Sequence, residues 1–124
     1  MTHQKKKVVA ILSDLMFTVK IQEAAKRVGF DVVFVKSRED AVEQAKNNPA
    51  VIILDLNTSA VDPLDVIRTL KADQETSGIS VLGYVSHVQV DLKHAAQETG
   101  CDTVIARSAF AQNLPTILRR YAEV

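Results

Sequence analysis

Two acids, a hydroxyl and a cation each follow a short apolar run in this sequence: Asp14, Asp55, Ser86 and Arg107. Two carboxylates about 4 Å apart repel each other by about 4 kcal/mol at an effective dielectric constant of about 20, so such a pair favours a cation or a proton. Mg²⁺ fits this need, since one or two carboxylates and water molecules commonly hold it. An aspartate can attack a phosphoryl group to form an acyl phosphate, whose oxygens a hydroxyl and an arginine can bind.

The apolar run before Asp55 predicts the strand that would position this chemistry. Residues 51–54 are all apolar and three of them are β-branched, and Asn47-Asn48-Pro49 precedes them. A short run of this kind is typical of a strand buried on both faces of a parallel sheet. Ligands of open α/β sheets bind beyond the carboxyl ends of the strands. Asp55 is therefore the first candidate for a functional carboxylate.

The rest of the chain alternates between strand and helix patterns. Four further apolar runs predict strands at Val8 to Leu12, Asp31 to Val35, Val81 to Val85 and Thr103 to Ala106. Apolar residues three and four apart predict a helix after each strand, as at Ile21, Ala24, Ala25 and Val28 and at Leu114, Ile117, Leu118 and Tyr121. Gly29 and Gly100 are typical helix ends, and Ser37 and Asp62-Pro63 are typical helix starts. Asp14 could equally cap the first helix.

Five such β-α units predict an α/β fold with right-handed crossovers. The economical arrangement is a flavodoxin-like three-layer sandwich with a five-stranded parallel sheet in the order 2-1-3-4-5, although the sequence alone does not fix that order. We expect residues 1–124 to form one domain. In this strand order the ends of strands one, three, four and five converge, which would bring the four chemical side chains together.

Composition excludes several classes of function. The 124 residues carry 15 basic and 15 acidic side chains, so no overall field favours nucleic acid or an anionic membrane. The single cysteine, Cys101, cannot form an internal disulfide, and a buried apolar role is expected for it. A reducing, cytoplasmic compartment fits this cysteine content. His87 and His94 lack a third ligand, so a surface role is expected for both.

Motifs for common enzyme classes are missing from the sequence. It contains neither Gly-x-x-x-x-Gly-Lys nor Gly-x-Ser-x-Gly, which argues against a nucleotide phosphate cradle and a hydrolase elbow. Asn57 stands where phosphatases of the haloacid dehalogenase type need a second aspartate, and an amide cannot serve as acid or base. We therefore do not expect an enzyme in the usual sense.

The spacing of Asp14, Asp55, Ser86 and Arg107, each after a strand, resembles the receiver domain of two-component response regulators, the CheY-like family, over essentially the whole chain. The resemblance implies that a histidine kinase or phosphotransfer protein phosphorylates Asp55. It implies Mg²⁺ held by Asp14, Asp55 and the backbone carbonyl of Asn57. It also implies that Ser86 and Arg107 bind the phosphoryl group, with a downstream protein target that the sequence does not name.

Several positions depart from the pattern of that family. Ser13 replaces one of two adjacent acids, which predicts weak Mg²⁺ binding, and Arg107-Ser108 replaces a lysine and a proline, which predicts a reshaped loop. Val104 stands where an aromatic switch residue is common, and His87 where a small residue is usual. Two hypotheses follow: a phosphorylated single-domain response regulator, or a divergent receiver that acts as a phosphorylation-independent protein-interaction module.

Overall fold

A computed structural model describes residues 6–86 and 89–122, and in this part of the chain strands and helices alternate throughout. The strands are β1 (Lys7–Ile11), β2 (Asp31–Val35), β3 (Val51–Asp55), β4 (Val81–Val85) and β5 (Thr103–Ala106). The helices are α1 (Leu15–Val28), α2 (Arg38–Ala45), α3 (Pro63–Ala72), α4 (Val90–Thr99) and α5 (Arg107–Ala122). The five predicted β-α units are confirmed, and β1 begins and ends one residue earlier than predicted.

The five strands form one parallel sheet in the order β2-β1-β3-β4-β5, as predicted. Strand β3 lies at its centre and is buried along its whole length, which explains why its residues are apolar up to Asp55. The register pairs Asp55 with Tyr84 on β4. The carboxyl ends of β1, β3, β4 and β5 therefore lie side by side at one edge.

Helices cover both faces of the sheet, which makes the fold the predicted three-layer sandwich. One apolar cluster packs α1 and α5 against the sheet through side chains such as Phe17, Ile21, Phe110 and Leu118. A second cluster packs α2, α3 and α4 against the other face through side chains such as Ala41, Ile67, Leu70 and Ala96. Cys101 is buried in this second cluster, as expected for an apolar role.

The predicted helix starts and ends are confirmed. The side chains of Ser37 and Asp62 accept backbone N–H groups of the first turns of α2 and α3, and Pro63 opens α3. Gly29 ends α1 with φ of 86°, a left-handed conformation that glycine adopts without a Cβ clash.

The sequence predicts a reshaped loop at Arg107-Ser108, but in the structure these residues form the start of a helix. Helix α5 begins at Arg107, directly after the last residue of β5, and bends at Asn113, where φ is −117° and ψ is 16°. Pro115 follows the bend, and proline disrupts helix geometry because it lacks an N–H group and its ring meets the preceding turn. Because the helix starts so early, Arg107 lies at the carboxyl end of β5.

None of the helices in the described ranges is long and apolar enough to cross a membrane.

The packing around Gly83 in β4 generates a stability prediction. A Cβ at this position would lie 3.0 Å from Leu56 Cδ1 and 3.1 Å from Cys101 Sγ, and both neighbours are buried. Because such crowding forces buried neighbours to shift, we expect Gly83→Ala to lower the free energy of unfolding by about 1–3 kcal/mol, measured by urea denaturation. Gly78→Ala is the matched control, since nothing lies within 4 Å of its added Cβ. Equal urea midpoints for the two variants would contradict this account of the packing.

Candidate functional site

Asp55 lies at the carboxyl end of the central strand, as predicted, and its residue is 8% exposed. Its Oδ1 accepts a hydrogen bond of 2.8 Å from the backbone N–H of Asn57. The same turn is closed by the Thr58 N–H, which donates to the Asp55 carbonyl oxygen over 3.1 Å. The carboxylate is therefore held in place by the backbone that follows it.

Burial raises the pKa of the Asp55 carboxyl above its ordinary value of 3.8, because the ionised form loses hydration. The Asn57 N–H and the charge of Arg107 act in the opposite direction and lower the pKa, whereas the charge of Asp14 raises it. Asp14 follows β1 and Arg107 follows β5, so both lie at the same end of the parallel sheet as Asp55, where they form an ion pair. The space between these three residues at the carboxyl ends of the strands is called the crevice below.

Asp14 takes the structural role that the sequence left open, and it also contacts a predicted site residue. As the N-cap of α1, its Oδ1 accepts the backbone N–H groups of Met16 and Phe17 over 2.9 and 3.2 Å. Its Oδ2 accepts a hydrogen bond from the Arg107 guanidinium, with which it forms an ion pair. The Phe17 N–H, and then the Arg107 side chain, hold the pKa of Asp14 below its ordinary value.

The Arg107 guanidinium lies on an aromatic platform. Its Cζ is 4.8 Å from the ring centroid of Phe17, within the range of a cation–π contact. The Phe17 ring stacks on Tyr84 at 4.9 Å and on Phe110 at 5.8 Å between centroids. Side chains from α1, β4 and α5 thus support the cation together.

Ser86 follows β4 and is linked to the loop after β3 through Asn57. The Ser86 backbone N–H donates to Asn57 Oδ1 over 3.1 Å, and Asn57 Nδ2 donates to Gln89. Ser86 and Arg107 line one cavity of about 400 Å³. The two groups predicted to bind a phosphoryl group therefore face a common space.

The structure adds residues that the sequence analysis did not select. The sequence predicts only that Phe17 and Tyr84 are core residues, because an apolar pattern does not show which side chains an aromatic residue contacts. The Tyr84 hydroxyl is buried and has no hydrogen-bond partner among the described residues, and burial, followed by the charge of Asp55, raises its pKa. Thr58 is also buried, and its hydroxyl lies 3.2 Å from the hydroxyl of Ser13.

Val104 and the two histidines, which the sequence analysis singled out, differ in how exposed they are. Val104 is buried among the apolar side chains on the face of α2, α3 and α4, so it acts as a core residue. His94 is exposed, as expected of a surface histidine. His87 lies outside the described residues.

Asp14, one of the three predicted Mg²⁺ ligands, does not fit the ion as it is arranged. Both oxygens of Asp14 are engaged, one by backbone N–H groups and the other by Arg107. Ser13 contributes a hydroxyl that contacts Thr58 instead of a second carboxylate. Within residues 6–86 and 89–122 there is no group of three His, Cys, Asp or Glu side chains suited to a metal. Asp55 is then the one carboxylate of the predicted set without a cationic partner in direct contact.

No protein-family model matches the chain, and no curated protein matches its sequence. Solved structures match nearly its whole length. The phosphorylated cyanobacterial phytochrome response regulator RcpA is 24% identical with a TM-score of 0.78, over 97% of this chain and 93% of RcpA. The receiver domain of a sensor histidine kinase from Pseudomonas aeruginosa, solved with magnesium in its active-site cleft, is 15% identical with a TM-score of 0.81, over 98% and 100% of the chains.

A third structure, the chemotaxis response regulator CheY4 of Vibrio cholerae, is 15% identical with a TM-score of 0.80, over 95% of this chain and 99% of CheY4. These three neighbours are receiver domains or response regulators, and their similarity extends from one end of the chain to the other. The chain therefore has the CheY-like fold that the sequence predicts.

The raised pKa of Asp55 generates a prediction about stability and pH. The folded protein binds the Asp55 proton more tightly than the unfolded chain, so the contribution of Asp55 to wild-type stability falls as the pH rises from 3.8 through the folded-state pKa. We expect Asp55→Asn to be more stable than wild type at pH 7 and to lose this advantage towards about pH 3, where the wild-type carboxyl is neutral in both states. Urea denaturation across this pH range measures the difference.

Asp31→Asn is the control for this measurement, because Asp31 is exposed at the opposite end of the sheet. Its stability relative to wild type should show a smaller change with pH than that of Asp55→Asn. A difference between Asp55→Asn and wild type that is independent of pH would contradict the assignment of the penalty to the buried charge.

Proposed function

We propose that this chain is a receiver domain of a two-component signalling system, which accepts a phosphoryl group on Asp55 from a histidine kinase or a phosphotransfer protein. The observation that carries the proposal is the position of Asp55, a carboxylate at the carboxyl end of the central strand, at the same end of the sheet as the ion pair of Asp14 and Arg107. The fold itself adds support, and one structure of the same fold, RcpA, is of a phosphorylated protein.

The reaction proposed for Asp55 is a phosphoryl transfer. A carboxylate oxygen attacks the phosphorus of a phosphohistidine, a P–O bond forms, the P–N bond breaks, and the imidazole keeps the electron pair. The product is an acyl phosphate on Asp55. The Asn57 N–H already donates a hydrogen bond to Asp55 Oδ1, so the carboxylate is positioned before the phosphoryl donor binds.

Arg107 and Ser86 are proposed to bind the transferred group. The new phosphoryl oxygens bring negative charge into a crevice that already contains Asp14, so they require a cation and hydrogen-bond donors. Arg107 supplies a planar guanidinium that can bind two oxygens at once, and Ser86 supplies a hydroxyl beside the same cavity. The proposal does not require Mg²⁺, because Arg107 supplies a cation and both oxygens of Asp14 are already engaged.

The second candidate is a phosphorylation-independent protein-interaction module with the same fold. The observation in its favour is the ion pair between Asp14 and Arg107, which balances charge in the crevice without any added group. Leu15 and Met16, on the first turn of α1, are 81% and 73% exposed, which is unusual for large apolar side chains and fits contact with another protein.

Covalent modification of Asp55 separates the two candidates. After incubation with a small phosphodonor, with and without Mg²⁺, we expect intact-mass spectrometry to show a labile adduct of about 80 Da, the mass of one phosphoryl group. Asp55→Asn should show no adduct, because an amide is not a nucleophile of this kind. Amide NMR with beryllofluoride should show shifts around Asp55, Ser86 and Arg107.

Asp31→Asn is the matched control, and it should be modified like wild type because its carboxylate lies away from the crevice. An adduct that persists in Asp55→Asn would place the acceptor elsewhere. The absence of both adduct and shifts in wild type would overturn the phosphoacceptor proposal in favour of the interaction module.

The role of Arg107 can be tested by the rate of modification without Mg²⁺. We expect Arg107→Ala to lower the rate about 10-fold, because a charge-assisted hydrogen bond to the phosphoryl oxygens is lost. Arg107→Lys should retain part of the rate because it keeps the charge without the planar fork. Arg119→Ala, which removes an exposed arginine at the other end of α5, should leave the rate unchanged. A wild-type rate in Arg107→Ala would show that the guanidinium does not bind the group.

A further inference from the structure

The Mg²⁺ predicted for the crevice competes with a cation that the chain already provides. Asp14 Oδ1 accepts hydrogen bonds from the first turn of α1, and Oδ2, the oxygen left for a metal ion, accepts one from the Arg107 guanidinium. An added ion would have to break the ion pair and exchange part of its own water shell at the same time. Mg²⁺ gives up water reluctantly, and it is usually held by carboxylates that are free to replace it.

The guanidinium is held from a second side, so the ion pair is a built feature of the fold. Its Cζ lies over the ring of Phe17 at 4.8 Å, and Phe17 is 4% exposed and contacts the rings of Tyr84 and Phe110, which also contact each other. The platform is therefore rigid, because its rings are packed in the core. Arg107 is also the first residue of α5, so the start of the helix fixes its backbone directly after β5.

The position before Asp14 reinforces this arrangement. Ser13 brings no negative charge to the crevice, and its hydroxyl contacts the hydroxyl of buried Thr58 at 3.2 Å. The described side chains that face the crevice then carry two acidic groups, Asp14 and Asp55, and one cation. An acid at position 13 would be the third of the crevice, would add to the negative charge of Asp55 that no ion pair balances, and would favour a divalent ion. With serine there, the one guanidinium balances the charge of Asp14.

We propose that Arg107 is the resident cation of this crevice and that the protein works without a divalent metal ion at the Asp14–Asp55 site. This inference concerns metal binding alone and stands whether or not Asp55 is phosphorylated. It departs from the ligand set that the sequence resemblance implies, and the contact between two residues 93 positions apart is the reason.

A titration of Mg²⁺ followed by amide NMR, without any phosphodonor, tests the inference. In wild type we expect no saturable shifts at Asp14, Asp55 or Asn57 when Mg²⁺ is added to millimolar concentrations. Arg107→Ala should raise the affinity of the site for Mg²⁺ by up to about fivefold, since the lost ion pair is partly exposed. Arg107→Lys should resemble wild type, because the ammonium keeps the charge.

A double variant gives a larger expected change in Mg²⁺ affinity than Arg107→Ala alone. Ser13→Asp combined with Arg107→Ala adds a carboxylate and removes the cation, and we expect saturable binding at least about tenfold tighter than in wild type. Arg119→Ala, outside the crevice, is the control and should behave like wild type. Dispersed amide spectra show directly that each variant is folded.

The possible results distinguish the inference about the metal ion from the phosphoacceptor proposal. Saturable Mg²⁺ shifts at the three crevice positions in wild type would overturn the inference and leave the phosphoacceptor proposal standing. Failure of the double variant to bind Mg²⁺ would overturn the role given to Arg107 and Ser13. Absence of a phosphoryl adduct would overturn the phosphoacceptor proposal and leave the inference about the metal unchanged.

Discussion

The structure depends on the constraint that a carboxylate at the end of a fully buried strand needs compensation for its charge. Strand β3 is enclosed on both faces, so Asp55 emerges into a crevice with little access to water. Loss of hydration raises the free energy of its ionised form. The backbone N–H of Asn57 and the nearby charge of Arg107 offset part of this cost. The charge of Asp14 acts in the opposite direction and adds to this cost.

Arg107 is central to the balance because it is the one cation with a direct contact to an acid of the crevice among the described residues. Its position follows from the immediate succession of β5 and α5, and its orientation follows from the Phe17 ring. Lysine at this position would present a compact, strongly hydrated charge. Arginine presents a flat ion that can stack on the ring and bond an acid at its edge.

The aromatic stack links the crevice to the core on one side of the sheet. Phe17, Tyr84 and Phe110 come from α1, β4 and α5, and their rings lie nearly parallel with centroids 4.9 to 5.8 Å apart. A change in the position of Arg107 would therefore be felt at Phe17 and at the helices packed behind it. The buried Tyr84 hydroxyl lies in this stack and experiences the charge of Asp55. The stack therefore brings side chains of α1 and α5 into contact with Tyr84, the residue of β4 that pairs with Asp55.

The sequence by itself determined the order of strands and helices, the helix caps at Ser37, Asp62 and Gly29, and the place of Asp55 at a strand end. These features depend on apolar periodicity and on contacts a few residues apart, which local sequence encodes directly. The strand order was the economical choice for five β-α units, and pairing across the sheet confirmed it.

Only the tertiary structure decided what Asp14 contacts. The residue types allowed a helix cap, a metal ligand or both, and the outcome depends on Arg107, which is 93 positions away in the chain. The same holds for the platform of Phe17, Tyr84 and Phe110, whose members lie on three different elements. Hydrogen bonds and ring contacts act over a few ångströms in space, so a one-dimensional pattern identifies the candidates, and packing alone selects the pairs that meet.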